Sequence, residues 1–220
     1  MDTKKIAIIG AGSWGTALSL HLAEKFEQIS LWVYEKELCD IILKERENKW
    51  FLPGFPLPEN INPNNSIETV IRDHSIILMV TPTPTLRNIM SQLKPFIQPD
   101  SLIINASKGI ENDSLSTCHK IIKDSLNIPC DVASISGPTF AKEVAAKVPS
   151  ALLACSESDN TTKRVQEIFS SKYVKVFTST DVVGVEIGGA LKNVIAIATG
   201  ISDGLKLESN TRAALITRGL

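Results

Sequence analysis

The sequence predicts an α/β protein: a doubly wound, mostly parallel Rossmann-type sheet, followed by the start of an all-helical region. Three observations predict it. Lys5-Ile6-Ala7-Ile8-Ile9, an apolar run of strand length, leads directly into Gly10-Ala11-Gly12-Ser13-Trp14-Gly15, and helical period follows with Leu18, Leu22 and Phe26 on one face. Stretches of strand and helix character then alternate as far as Phe177. From Asp181 onward only helical period remains. The expected units are a dinucleotide-binding domain over 1–180 and the beginning of a helical substrate domain over 181–220.

Strand, G-x-G-x-x-G and helix together make the first half of a dinucleotide-binding βαβ unit. Gly10 permits the tight turn, Gly12 lets a pyrophosphate approach the backbone, and Gly15 lets helix and strand pack closely. The helix N-terminus aims free N–H groups and a positive dipole end at that anion. A glycine-rich turn without a ligand is the alternative, but the motif stands in the strand-to-helix context that binding requires.

The second strand is expected over 29–34, and Glu35 follows twenty residues after Gly15, where such units place the acid that binds the adenosine ribose. By that rule Glu35 favours NAD; Tyr34 stacking on the adenine, or a plain surface strand end, are the alternatives. Residues 38–46 have helical period, and Pro53, Gly54, Pro56 and Pro58 then mark a surface loop. Further strands are expected over 75–80, 101–105, 131–136, 150–155 and 174–177. Helices are expected over about 85–93, 114–126, 139–146 and 160–169. Asp181 is the expected N-cap of a long apolar helix ending near Gly200. Asp203-Gly204 reads as a turn, and a second helix starts at Ser209 or Asn210 and still runs at Leu220, which reads as a fragment of a longer protein.

Composition bounds the partners. Of 220 residues, 43% are hydrophobic and 21% charged, as in a globular protein with a full core. A net charge of −1 gives no reason to expect nucleic acid or an anionic membrane. The N-terminal apolar run is too short for a signal peptide, and the apolar stretch 182–201 holds Glu186 and Lys192, so it reads as a buried helix and not a membrane span. Cys39, Cys118, Cys130 and Cys155 have no metal spacing and read as reduced thiols of a cytoplasmic protein.

In open α/β sheets ligands bind at the carboxyl ends of the strands. Three polar turns fall there: Thr81-Pro82, Ser107-Lys108-Gly109 and Gly137-Pro138-Thr139. Lys108 is suited to a phosphate or substrate oxygen, or is a solvated loop lysine. Thr139 offers a donor at a helix start, or is an ordinary cap. Lys192 lies in a helix too apolar to be exposed, one turn beyond Gly188 and Gly189, which leave a groove above it. A buried lysine is costly unless it is paired or its pKa falls. The alternatives are a lysine that snorkels or pairs with Glu186, although Glu186 lies on another face. His21, His74 and His119 show no partner pattern.

Several long blocks now carry a resemblance: Gly10-Ala11-Gly12-Ser13-Trp14-Gly15-Thr16-Ala17-Leu18, Ser107-Lys108-Gly109, Ser136-Gly137-Pro138-Thr139-Phe140-Ala141, Val185-Glu186-Ile187-Gly188-Gly189-Ala190-Leu191-Lys192-Asn193, and the run from Asn210 to Leu220. In them the chain resembles the bacterial-type NAD(P)-dependent sn-glycerol-3-phosphate dehydrogenases. The resemblance implies reversible hydride transfer between sn-glycerol 3-phosphate and dihydroxyacetone phosphate, with NAD or NADP as cofactor, supplying glycerol phosphate for phospholipids. It also implies that Ser13, Trp14, Tyr34, Lys108 and Ala141 touch the cofactor. Lys108, Gly137, Thr139 and Lys192 would touch the substrate, with Lys192 as general acid/base. The family further uses an aspartate and a Ser-Arg-Asn segment beyond residue 220, so the 220 residues alone are expected to be inactive. Tyr34 stands where relatives often carry a basic residue or histidine, which leaves the NAD or NADP preference open. The partner expected is a small phosphorylated molecule, with monomer and homodimer both open.

Overall fold

The structure, a computed structural model, describes residues 4–219; Met1, Asp2, Thr3 and Leu220, where the second terminal helix was expected to continue, lie outside the described residues. Its sheet begins as the glycine motif requires. β1 (Lys5–Ile9) runs into α1 (Ser13–Leu22), and β2 (Gln28–Trp32) pairs parallel beside β1. Phe26 lies beyond the end of α1 but is still buried in the same core.

Then follow α2 (Lys36–Glu45), β3 (Ile61–Asn64), α3 (Ile67–Ile71), β4 (Ile76–Met79), α4 (Thr83–Leu93), β5 (Leu102–Asn105), α5 (Cys118–Ser125) and β6 (Asp131–Ser136). The described chain ends with α6 (Ala141–Ala145), β7 (Ser150–Cys155), α7 (Asp159–Phe169), β8 (Val174–Ser179), α8 (Val182–Gly204) and α9 (Ser209–Gly219). Among the described residues the strands form one sheet in the order β3-β2-β1-β4-β5-β6-β7-β8. From β3 to β6 every pairing is parallel; β7 turns antiparallel to β6, and β8 runs parallel to β7.

Alternation along the central strands supplies two cores. Ile6, Ile8, Ile76 and Leu78 face Leu18, Leu38 and Phe169 from α1, α2 and α7. Ala7, Ile9, Ile77 and Met79 face Val70, Leu86, Met90 and Ile121 from α3, α4 and α5. Burial on both faces is why these strands are continuous apolar runs. Each large side chain so buried contributes about 1.5–3 kcal/mol from area removed from water.

The structure corrects the sequence reading at five points. β3 and α3 were not expected: Ile61-Asn62-Pro63-Asn64 carries a proline and two asparagines, tolerable because β3 is the sheet edge. α5 begins at Cys118 and not near 114, since Leu115 has φ 54° and Thr117 caps the helix by accepting from Lys120 N. Asp203 and Gly204 belong to the last turn of α8, and the chain turns at Lys206 and Glu208, both at positive φ. α8 is not a buried helix: Val183, Ile187, Leu191, Val194 and Ile197 are 38–63% exposed, because no described element covers the stripe they form. Lys192, expected to be buried, is exposed for the same reason. By length and composition alone α8 is long and apolar enough to cross a membrane, a test that helices of soluble proteins also pass.

Candidate functional site

The carboxyl ends of β1, β2, β4 and β5 open onto a cavity of about 740 Å³, lined among others by the glycine turn, Trp14, Tyr34, Glu35, Lys108, Thr139, Ala141 and Lys192. Its floor is the glycine turn. Gly10 has φ +120°, and a Cβ there would run into the Val80 carbonyl. A Cβ on Gly15 would run into the Gly10 carbonyl. Both glycines are required for chain packing. Gly12 differs: a Cβ there meets nothing within 4 Å, so its face is open. This is the arrangement expected if Gly12 is where an anion approaches the N-terminus of α1.

Hydrogen bonds stitch the three polar turns together. Thr81 N donates to Ser107 Oγ at 3.0 Å, and Thr83 Oγ1 donates to Lys108 O at 3.0 Å. The Lys108 ammonium donates to Gly137 O at 2.9 Å and lies 5.7 Å from the centre of the Trp14 ring. Burial, and then the positive charge of Lys192, lower the Lys108 pKa from 10.5. Lys192 itself donates to Asn193 Oδ1 at 2.7 Å. Gly137 is not among the residues that line the cavity. A Cβ there would come within 2.6 Å of Ala151 O, so this glycine serves the close approach of β7 and its carbonyl holds Lys108. At the other end of the cavity, Tyr34 stands edge-on to Trp32 at 5.8 Å. Glu35 occupies the N-cap position of α2, yet its side chain makes no capping bond.

The cavity fits a dinucleotide by the state of its own polar atoms. Trp14 Nε1, Thr81 Oγ1 and Thr139 Oγ1 are buried without a hydrogen-bond partner, and all three residues line it. Unpaired buried groups of this kind cost about 1–3 kcal/mol each, and a small side-chain rotation toward a bound ligand would pair them.

One charged residue was misjudged from sequence. Glu186, weighed only as a partner for Lys192, is buried and reaches inward from α8. Its Oε1 accepts from Asn105 Nδ2 and Ser134 Oγ, both at 2.7 Å, and its Oε2 accepts from His119 N at 2.9 Å. The carboxylate thus joins the ends of β5, β6 and α5 to the first turns of α8. His119, with no visible partner pattern in sequence, packs against this group with its pKa lowered from 6.5 chiefly by burial. Gly189, expected to open a groove over Lys192, instead admits β6: a Cβ there would sit 2.8 Å from Ser136 Oγ. Gly188 faces open space. Periodicity places Glu186 off the Lys192 face and carries no sign of partners far away in sequence.

Family models match this chain over nearly its whole length. One, described as NAD-dependent glycerol-3-phosphate dehydrogenase N-terminus, covers residues 5–162; the corresponding C-terminus model covers 181–220. The chain belongs to the NAD-dependent glycerol-3-phosphate dehydrogenase family. A glycerol-3-phosphate dehydrogenase [NAD(P)+] of Syntrophobacter fumaroxidans is 46% identical over 217 residues, covering 98% of this chain and 64% of the relative. One from Citrifermentans bemidjiense is 48% identical over 221 residues, 99% of this chain and 65% of the relative. The chain therefore spans somewhat under two thirds of the length of these curated relatives. Among solved structures, glycerol-3-phosphate dehydrogenase of Coxiella burnetii superposes with a TM-score of 0.90 at 40% identity, over 98% of this chain and 66% of that one. That of Plasmodium falciparum gives 0.89 at 32% identity, over 98% and 63%. Within this dehydrogenase family, α8 and α9 fall in the C-terminal region, so the apolar stripe of α8 is a family segment.

Proposed function

We propose that this chain is the dinucleotide-binding and first catalytic part of an oxidoreductase that interconverts sn-glycerol 3-phosphate and dihydroxyacetone phosphate with NAD or NADP. The observation that carries the reading is the convergence of the open glycine turn, Lys108 and Lys192 on one cavity. We take 1–180 as the dinucleotide-binding domain and 181–220 as the start of a helical substrate domain. The reaction would supply glycerol phosphate for phospholipids in the cytoplasm, and a homodimer is the assembly to test.

A bound nicotinamide dinucleotide supplies or accepts the hydride. The chain's residues do the rest. The turn at Gly12 and the start of α1, with Ser13, hold the pyrophosphate. Trp14 and Ala141 border the cofactor, Tyr34 the adenine, and Glu35 the adenosine ribose. Lys108, fixed by Gly137 O and the Trp14 ring, has hydrogens left to offer a substrate oxygen. Thr139 offers its unpartnered hydroxyl to the substrate. In reduction the Lys192 ammonium polarises the carbonyl and gives the oxygen its proton; in oxidation the amine takes the hydroxyl proton.

The test is Lys192→Met in a chain of the relatives' full length, assayed with dihydroxyacetone phosphate and NADH or NADPH. Turnover is expected to fall at least a thousandfold while NADH binding is kept. Survival within about tenfold, roughly 1.4 kcal/mol of barrier, would place the acid/base elsewhere. A preference for a 3-hydroxy acid would assign a different substrate on the same plan. The 220 residues alone are expected to bind NAD(P)H, seen as a shift in melting temperature at millimolar ligand, with negligible turnover.

A further inference from the structure

The segment between α2 and β3, read from sequence as a plain surface loop, returns to the glycine turn. Asn48 is fully buried. Its Nδ2 donates to Ala11 O at 2.7 Å and to Thr16 Oγ1 at 2.8 Å, and its Oδ1 accepts from Phe51 N at 3.0 Å. One side chain therefore ties the glycine turn and the start of α1 to the backbone of Phe51. Leu52, the next residue, is fully buried and donates its N–H to Asn48 O at 2.9 Å. Glu47 Oε1 accepts from Gly54 N at 2.8 Å, closing the loop on itself. The ring of Phe51 nonetheless lines the cavity and is 41% exposed.

A phenyl ring held on a fixed backbone at the edge of a ligand cavity leaves apolar area in water that a flat ligand surface would cover. Because the backbone is already pinned, little ordering entropy is lost when it does. We propose that Phe51 is a binding residue of the dinucleotide site, an aromatic wall against a ring of the bound dinucleotide, and that Asn48 is its positioning residue. This rests on the dinucleotide reading above and adds to it a wall that the glycine motif does not contain.

The experiment titrates NADH into this chain by fluorescence, with melting temperature as the folding control. Phe51→Ala is expected to weaken NADH binding about five- to thirtyfold, in the range of loss of one ring stack, with the melting temperature unchanged. Phe51→Tyr keeps the ring and is expected within twofold of the parent, as is Trp50→Ala, whose ring packs edge-on to Phe51 but does not line the cavity. Asn48→Ala is expected to weaken binding at least as much as Phe51→Ala. Adding Phe51→Ala to it should cost less than about threefold more, the non-additivity of two residues acting as one unit. Binding by Phe51→Ala within twofold of the parent would overturn the wall. Full multiplication of the two losses would overturn the positioning role of Asn48. If Asn48→Ala does not fold, the Ala and Tyr variants of Phe51 decide the proposal. A parent chain that binds no NADH would overturn the dinucleotide reading itself, an outcome set apart by the unsubstituted control.

Discussion

β4 and α8 are both apolar in sequence and sit in opposite circumstances. All of Ile76 to Met79 is buried, between helices on both faces of the sheet. Along α8 the residues buried are Val182, Glu186 and Ser202, while the apolar stripe faces outward. The sheet is held by apolar area. The junction of α8 is held by polar groups: Asp181 capping Gly184 N at 2.8 Å, Glu186 in its three-way hydrogen bonding, and Gly189 admitting Ser136. An apolar run therefore states that a surface is fit to be covered, and says nothing about what covers it.

Substitutions can break that comparison. Ile8→Ala, in the sheet, is expected to cost about 2–5 kcal/mol in urea unfolding, the range for large-to-small changes in a packed core. Glu186→Ala is expected to cost about 2–4 kcal/mol, because it leaves His119 N without an acceptor and leaves Asn105 Nδ2 and Ser134 Oγ only their longer bonds to Ser107 O and His119 Nδ1. A cost below about 0.5 kcal/mol would mean that α8 is held by something other than this carboxylate.

Acid should weaken the sheet region further. His21 and His119 are both held below 6.5, mainly by burial. As pH falls through 6.5 the unfolded chain takes up protons that the folded chain refuses, so stability is full above 6.5 and declines as pH drops toward the lowered values. Melting temperature at pH 5.5 should lie below that at pH 7.5, and His119→Gln should reduce the difference. The smallest effect is expected on α8: Ile197→Ser should change stability by less than about 0.5 kcal/mol in this chain, as for exposed sites generally. A loss comparable to that of Ile8→Ala would show that the stripe is covered in solution.

The same contrast explains what was legible in the sequence. The extents of β6 and β7 were read as observed, and Asp181 caps α8 as its position suggested. Local signals sufficed there: period, length and a capping residue. β3 was missed because an edge strand need not look like a strand. The exposure of Lys192 was missed because burial is a property of the neighbouring surface. Glu186 and Asn105 are separated by 81 positions, and Asn48 and Ala11 by 37, so no local pattern connects them. The glycine turn was the most legible part of the site, yet the residues that set its surroundings were the least.

The reversal of β7 has a consequence for how the chain can lengthen or shorten. β7 descends beside β6, with Leu153 opposite Ser136 and Cys155 opposite Ser134, and β8 follows it to Ser179 opposite Cys155. α8 then climbs the other way, past Ser134 at Glu186 and past Ser136 at Gly189, and brings Lys192 to the cavity one turn later. Strand register thus acts as a gauge for the height of Lys192. One residue inserted between Glu186 and Lys192 would shift that lysine, relative to the docked carboxylate, by about 1.5 Å along the helix and about 100° around it. The same insertion at 206–208, after α8 has delivered its lysine, would be absorbed by a turn. Natural length variation in such chains should accordingly collect after α8 and be absent between Glu186 and Lys192.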